Sequence, residues 1–149
     1  MGLTVRRLQI SDLPALERTE SERSKRLPGR AGALAGFRKL IEQTLSREPE
    51  GLMIADLDGK VVGVAVARQR GTHGTSGKKH GRVEHVAVAP GFESHGVTGR
   101  LLRESEAYLR SRGCESIHLL LPADDAGDAE MLKTAGYRVV AWELEKQFR

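Results

Sequence analysis

The sequence predicts a single α/β domain in which a mixed sheet carries helices on both faces. Three observations lead to this fold class. The chain has 149 residues, a length that suits one hydrophobic core. The predicted elements follow the order β-α-α-β-β-β-α-β-α-β, which is typical of a sheet covered by helices. No internal repeat and no long linker divides the chain, so we expect one domain over residues 1–149.

The first part of the chain is predicted to form a strand and two helices. Residues 3–10 have the pattern of a strand, and Ser11 or Asp12 is placed to cap the helix that follows. A second helix over residues 33–48 is indicated by apolar residues at helical spacing. These residues are Leu34, Phe37, Leu40, Ile41 and Leu45.

Two strands and a loop are predicted next. Asp58 and Gly59 lie between two runs rich in β-forming residues, which indicates a tight hairpin. Residues 71–81 are rich in Gly, Ser, Thr and Lys and lack periodicity, so we expect a mobile surface loop there. Another strand is predicted over residues 82–89.

The last third of the chain is predicted to form two further helices and two further strands. The helix after Pro90 has a stripe of apolar residues and ends at Gly113. Residues 116–122 are almost continuously apolar, as in a strand buried on both faces. A short helix over residues 125–136 and a final strand over residues 137–147 complete the prediction.

Composition and charge exclude several classes of protein. Hydrophobic residues make up 39% and charged residues 30% of the chain, as in ordinary soluble globular proteins. No apolar run approaches the roughly 20 residues that a spanning helix needs, and the N-terminus lacks the apolar core of a signal peptide. We therefore expect a cytoplasmic protein with no membrane partner.

Metal and nucleic-acid sites are not expected. Cys114 is the only cysteine, which excludes an intramolecular disulfide and a cysteine-rich zinc site and favours an inert buried thiol. His73 and His80 have no carboxylate between them and would make a poor metal site. The basic loop over residues 71–81 lacks the aromatic residues that stack on bases, and the net charge of +4 is mild.

The segment after Pro90 has the features of an anion-binding loop. It joins a strand to a helix N-terminus, where unpaired backbone N–H groups and the helix dipole attract negative charge. Gly96 and Gly99 permit close approach of a ligand to the backbone, and neighbouring polar side chains could add donors. Phosphate is the usual ligand of such a loop, although glycines at strand-to-helix turns also occur for backbone geometry alone.

The run from Val83 to Leu102 resembles the acetyl-CoA-binding segment of the GCN5-related N-acetyltransferases. The family pattern is a strand ending in V-x-P, followed by a loop with Arg or Gln and x-x-G-x-Gly/Ala at a helix start. Val88, Pro90 and Gly96 match it in register, and two leucines close the match. The opening strand and helix, the central hairpin and the late "LKTAGY" element are also similar in order, and the family fold is mostly antiparallel.

The resemblance implies a binding site for acetyl-CoA as co-substrate, with no metal. The end of the strand would meet the pantetheine arm, and the loop would hold the pyrophosphate. The cofactor-binding residues expected on this basis are Val86, Ala87, Val88, Ser94, His95, Gly96, Val97, Thr98, Gly99 and Asp125.

Three positions depart from the family pattern. Glu93 replaces the Arg or Gln, Thr98 replaces the last Gly or Ala, and Leu132 stands where many members have a tyrosine that serves as general acid. Arg100, Arg103 or Lys133 could supply the missing positive charge. These departures leave an alternative open, in which a catalytically weak or inactive member of the fold binds acyl-CoA or another ligand as a sensor or regulator.

Glu84 is the predicted catalytic base. In the family, this strand flanks the amine that accepts the acetyl group, and an amine protonated at neutral pH must lose a proton before it attacks. Two alternatives remain: Glu84 could merely pair with Arg82 or Arg70, and His85, which strand alternation turns to the opposite face, could titrate near neutral pH. The expected acceptor is an amine of a small molecule or of a protein, and a homodimer is left open.

Overall fold

A computed structural model describes residues 2–26, 33–72, 77–120 and 126–148. The chain forms two compact units, Met1–Leu119 and Leu120–Arg149. The described part of the first unit contains the sheet and three α-helices, and that of the second unit contains one α-helix. The expectation of one domain over the whole chain stays a prediction.

The elements follow the predicted order as far as the fourth helix. The strands of the first unit are β1 (Leu3–Arg7), β2 (Leu52–Leu57), β3 (Lys60–Thr72), β4 (Lys79–Val88) and β5 (Ser116–Leu119). Its helices are α1 (Leu13–Arg26), α2 (Ala33–Arg47) and α3 (Val97–Ser111), and the second unit contains α4 (Ala126–Thr134).

The sheet is mixed, with strand order β1-β2-β3-β4-β5. All neighbours are antiparallel except β4 and β5, which run parallel. Leu16 of α1 and Phe37 of α2 pack in a core cluster on one face, and Val97 and Leu101 of α3 belong to a cluster on the other face. The predicted α/β class, with helices on both faces of a mixed and mostly antiparallel sheet, is confirmed.

The hairpin between β2 and β3 forms at the predicted turn. Asp58 has φ 51° and Gly59 has φ 91°, the two positive values that a type I′ turn requires. The Gly59 N–H also donates to Oδ1 of Asp56 at 2.7 Å. The sequence signal was sufficient here because two adjacent residues determine the turn.

Helix α3 buries the predicted apolar stripe and ends at the predicted glycine. Val97, Leu101, Leu102 and Leu109 are buried, and Gly113 follows the helix with φ 84°. The Cys114 N–H donates back to the Leu109 carbonyl, which satisfies a carbonyl of the last turn. Among the described residues, no helix has both the length and the apolar composition to cross a membrane.

The predicted loop over residues 71–81 is partly strand. β3 continues to Thr72 and β4 begins at Lys79, and Thr72 and Lys79 are paired in the ladder. Gly81 also pairs with Ile117 of β5. The prediction was wrong at both ends because backbone pairing with a neighbouring strand does not require apolar periodicity.

The predicted last strand is also wrong: residues 137–148 contain no strand. The Tyr137 N–H donates to the Leu132 carbonyl, which closes α4 together with Gly136 at φ 97°. Beyond this point Trp142 is 84% exposed and Leu144 is 92% exposed. A sequence that favours a strand becomes one only where a neighbouring backbone pairs with it, and no strand pairing includes this segment.

Candidate functional site

Strand β4 has an open edge along its second half. Its pairing with β5 runs from His80, opposite Ser116, to Val83, opposite Leu119, and β5 ends there. Pairing with β3 on the other edge continues to Val88. Within the part of the chain that the structure describes, the last five residues of β4 therefore have a strand partner on one side only.

Backbone groups of Val86 and Val88 point to this open edge. The Ala89 N–H donates to the Val62 carbonyl of β3 at 2.8 Å. Because backbone groups alternate between the two edges of a strand, those of Val86 and Val88 face away from β3. The side chains of these two valines pack in the α3-side cluster, while Ala87 belongs to the cluster of α1 and α2.

A tight turn follows β4 and directs the chain towards α3. The Phe92 N–H donates to the Ala89 carbonyl at 3.0 Å, and Gly91 has φ 92°. Proline at the second position and glycine with positive φ at the third are the features of a type II turn. Pro90 therefore ends the strand and Gly91 reverses the chain within four residues.

The N-terminus of α3 is open to a ligand. Gly96 is its N-cap residue with φ 72° and has no side chain that could cap the helix, and the first turn contains no acidic residue. A Cβ atom added at Gly96 would meet no atom within 4 Å. The first N–H groups of a helix lack intrahelical partners, and with the helix dipole they carry about half a positive charge, so this turn can receive an anion.

The other predicted loop residues surround this N-terminus. Ser94 and His95 lie in a single 3-10 turn that precedes it, with the His95 ring 5.5 Å from the Phe92 ring. Thr98 and Gly99 lie in the first turn of the helix, and Val97 is fully buried beneath it. Val97 therefore anchors the loop, and a ligand would contact its backbone alone.

The carboxylate of Glu93 is engaged within the loop. Its Oε2 accepts a hydrogen bond from the Gly91 N–H at 2.9 Å. The guanidinium of Arg100 already has two partners, because it donates to the Leu3 carbonyl and pairs with Glu104. Arg103 is exposed, and its Nη1 lies 3.8 Å from the position of a Cβ added at Gly99.

Helix side chains lean towards the N-terminus of their helix. Of the two arginines of this helix that the sequence analysis considered, Arg103 is therefore better placed than Arg100 to serve the first turn of α3. Lys133, the third cation considered in the sequence, pairs with Glu130 at 3.7 Å in the second unit. Asp125, the remaining predicted cofactor residue, lies outside the described residues.

Glu84 occupies a β-bulge at the start of the open edge. Val66 pairs with His85 and Ala67 pairs with Val83, which leaves Glu84 as the extra residue of β4. Its side chain is 22% exposed, and its Oε1 lies 3.4 Å from Nη1 of Arg70. That contact lacks hydrogen-bond geometry, so Oε1 is buried without a hydrogen-bond partner among the described residues.

His85 binds a carboxylate that the sequence analysis did not consider. Its Nε2 lies 3.2 Å from Oε2 of Glu20 in α1, and Nη1 of Arg23 lies 3.2 Å from the same oxygen. The His85 ring also packs on Phe37 of α2, with 5.2 Å between centroids. Burial alone would raise the pKa of Glu20, but the hydrogen bonds and charges of His85 and Arg23 outweigh it and lower this pKa.

The sequence contained one signal for Glu20. Leu13, Leu16 and Glu20 follow each other at helical spacings of three and four, which puts a carboxylate on the apolar stripe of α1. The bulge had no comparable signal. The prediction that Glu84 and His85 face opposite sides of the sheet assumed regular alternation of side chains along β4, which the bulge interrupts. In the structure Glu84 pairs with Arg70, and His85 pairs with Glu20.

Two other groups lie apart from this site. Cys114 is buried, and burial raises the pKa of its thiol above the ordinary value. Such a thiol is a weak nucleophile at neutral pH. In the described ranges, no group of three or more His, Cys, Asp or Glu side chains could hold a metal ion.

Similar folds occur in solved N-acetyltransferases. The structure of AAC(6')-Iy in complex with a bisubstrate analog has a TM-score of 0.76 and 19% identity, with 100% of this chain and 99% of that chain covered. Glucosamine-6-phosphate N-acetyltransferase from Arabidopsis thaliana has a TM-score of 0.74 and 16% identity, with 100% of both chains covered. At these identities the likeness shows the fold alone.

Sequence relatives and a family model extend the likeness. An acetyltransferase of Pectobacterium atrosepticum is 27% identical over 100 residues, which are 67% of this chain and 66% of the relative. The chain thus spans slightly less than two thirds of that relative's length. The model of the acetyltransferase (GNAT) family matches residues 13–137, from the start of α1 to the residue after Gly136. The chain belongs to the acetyltransferase (GNAT) family.

Proposed function

We propose that the protein transfers the acetyl group of acetyl-CoA directly to a primary amine. The observation that carries this proposal is the continuity of β4 with α3. The open edge at Val86 and Val88 leads through a tight turn and a single 3-10 turn to the helix N-terminus at Gly96. The open edge suits an extended arm that contains amide groups, and the helix N-terminus suits a pyrophosphate.

The open edge of β4 would bind the pantetheine arm as a neighbouring strand binds, through backbone hydrogen bonds. The N–H groups of residues 96–99 would hold the pyrophosphate, with Arg103 adding positive charge. A backbone N–H at the open edge would polarise the thioester carbonyl during the reaction. Asp125 remains part of the proposed site from the resemblance alone.

Glu84 is the proposed base, because it lies where the open edge begins and has a buried oxygen that accepts no hydrogen bond from any described residue. It would take the proton from the acceptor nitrogen as the N–C bond forms and the C–S bond of the thioester breaks. The CoA thiolate leaves and takes a proton from water. Leu132 cannot donate this proton, and a thiol with an ordinary pKa of about 8.5 is an adequate leaving group without it.

The acceptor is proposed only as an amine of a small molecule or a protein. AAC(6')-Iy has been solved with an acetylneamine conjugate of CoA, which makes an aminoglycoside a reasonable first probe. We propose a cytoplasmic location, where acetyl-CoA is available.

Release of CoA thiol from acetyl-CoA tests the proposal, with aminoglycosides, polyamines, amino sugars and peptide N-termini as acceptors. We expect amine-dependent release, with an acetylated product of matching mass. Binding of CoA without release for any amine would instead support the regulatory alternative, which Leu132 and the Arg70–Glu84 pair motivate. Absence of CoA binding would overturn both functions.

A further inference from the structure

Glu20, Arg23 and His85 form a partly buried polar cluster beside the open edge of β4, with Glu20 as its buried member. Glu20 and Arg23 lie on α1, 65 and 62 positions before His85, and only folding brings them together. The side chains are 6%, 25% and 19% exposed, in that order. Burying a carboxylate costs free energy unless donors satisfy it, so this cluster requires both of its donors.

The cluster determines which nitrogen of His85 can accept a proton. Glu20 is an acceptor, and its pKa is lowered by the His85 hydrogen bond and the Arg23 charge, although burial acts in the opposite direction. Nε2 of His85 must therefore carry the hydrogen and donate it to Oε2 of Glu20. Nδ1 is then left with its lone pair and makes no hydrogen bond to any residue in the described ranges.

The position of His85 in β4 places its side chain beside the open edge. His85 follows the bulge at Glu84 and lies two residues beyond Val83, where pairing with β5 ends. It pairs across the sheet with Val66, whose side chain belongs to the cluster of α1 and α2. His85 therefore faces the α1 and α2 side of the open edge.

We propose that His85 is a second proton acceptor for acetyl transfer and that Glu20 is its positioning residue; this inference rests on the proposed function. Nδ1 takes one proton from the protonated acceptor amine as it approaches from the side of α1 and α2, and Glu84 takes the second proton when the N–C bond forms. The carboxylate of Glu20 stabilises the imidazolium, which later releases the proton to water.

The charged groups around His85 set the sign of the expected pH dependence. Glu20 favours the imidazolium and Arg23 opposes it, both from α1. Phe37 is the contact from α2 and does not titrate. On the strands, Glu84 is the sequence neighbour and is balanced by Arg70. Removal of the Glu20 charge should therefore destabilise the imidazolium that forms during transfer.

Profiles of kcat against pH test this inference in the parent, His85→Gln, Glu20→Gln and Glu17→Gln. We expect His85→Gln to lower kcat at neutral pH by about tenfold or more, which is less than the roughly 10²- to 10⁴-fold typical of general acid–base catalysis because Glu84 remains, with KM for acetyl-CoA unchanged. Glu20→Gln should move the acid limb of the profile to lower pH. Glu17→Gln, which removes an exposed carboxylate of α1 paired with Arg38, should behave as the parent.

Unchanged shape and height of the His85→Gln profile would overturn the inference while acetyl transfer by the parent stands. An inactive parent would instead overturn the proposed function. A second measurement needs no variant and no turnover. The imidazole nitrogen spectrum of the parent, at a pH where His85 is neutral, should show hydrogen on Nε2, and hydrogen on Nδ1 would contradict the proposed geometry.

Discussion

The two halves of the candidate site are built in different ways. The half at α3 consists of backbone: a turn at Pro90 and Gly91, the positive φ of Gly96 and a helix N-terminus. The half at the bulge of β4 consists of side chains, with Glu84 against Arg70 and His85 against Glu20. The backbone half suits a ligand shared by many proteins, whereas the side-chain half can change its chemistry without altering the fold.

The strongest test of this difference concerns Glu84. Glu84→Gln should lower the transfer rate by about 10²-fold at neutral pH and leave CoA affinity nearly unchanged. The loss should shrink at higher pH, where more of the acceptor amine is already deprotonated. Rates measured with the most active amine from pH 6 to 10 would show whether the two profiles converge.

Arg70→Gln is the matched control, because it breaks the same ion pair and leaves the carboxylate in place. We expect it to retain most of the activity. If Glu84 were only a structural partner of Arg70, the two variants would lose activity alike, and the base would have to be sought elsewhere.

A Cβ atom at the helix N-terminus should affect binding instead. Gly96→Ala should weaken CoA binding by about tenfold, because the new methyl group displaces a ligand from the N–H groups of the first turn. Gly91→Ala is a suitable control, since Gly91 also has positive φ and open space around it. Both variants should lose similar stability in thermal unfolding. If calorimetry gave the same CoA affinity for Gly96→Ala and Gly91→Ala, the pyrophosphate would have to bind elsewhere.

A smaller effect is expected from the cation near the first turn. Arg103→Gln should weaken CoA binding by about 1 kcal/mol, roughly fivefold, at low ionic strength, and the difference should shrink with added salt. Arg110→Gln removes a cation from the last turn of α3, where it is 79% exposed, and should leave affinity unchanged. Equal losses in the two variants would indicate a general charge effect.

Glu93 should have the smallest effect. Because its carboxylate accepts the Gly91 N–H, Glu93→Gln keeps an acceptor in place while removing a negative charge. We expect CoA binding to tighten by less than about 1 kcal/mol, as is usual for exposed charges. Glu104→Gln provides a control with the same change in net charge, and a large loss of affinity in Glu93→Gln would show that the loop requires the carboxylate.

The same contrast explains what the sequence could predict. The hairpin at Asp58 and Gly59 and the loop before α3 depend on residues a few positions apart, so their signals survive in the linear chain. Glu20 and His85 meet over 65 positions, and the bulge that displaces Glu84 depends on its register with β3. Those features depend on tertiary packing, which a single sequence does not display.

The predicted last strand also shows that local sequence does not determine strand pairing. Residues 137–147 have the composition of a strand, and their backbone lies in none of the described ladders. The extension of β3 and β4 into the predicted loop shows the converse, because pairing formed there without a strand-like pattern. The local sequence predicted the observed secondary structure only where a turn signal or an apolar helix stripe accompanied the residue propensities.

The central claim is that one continuous stretch, from the open edge of β4 to the first turn of α3, holds CoA. Amide chemical-shift mapping of the ¹⁵N-labelled protein with CoA tests it most directly. We predict that the largest shifts fall on Val86, Val88 and residues 96–99, with smaller shifts elsewhere. Saturable CoA binding that leaves these amides unchanged, with the largest shifts at residues 78–82, would contradict the account.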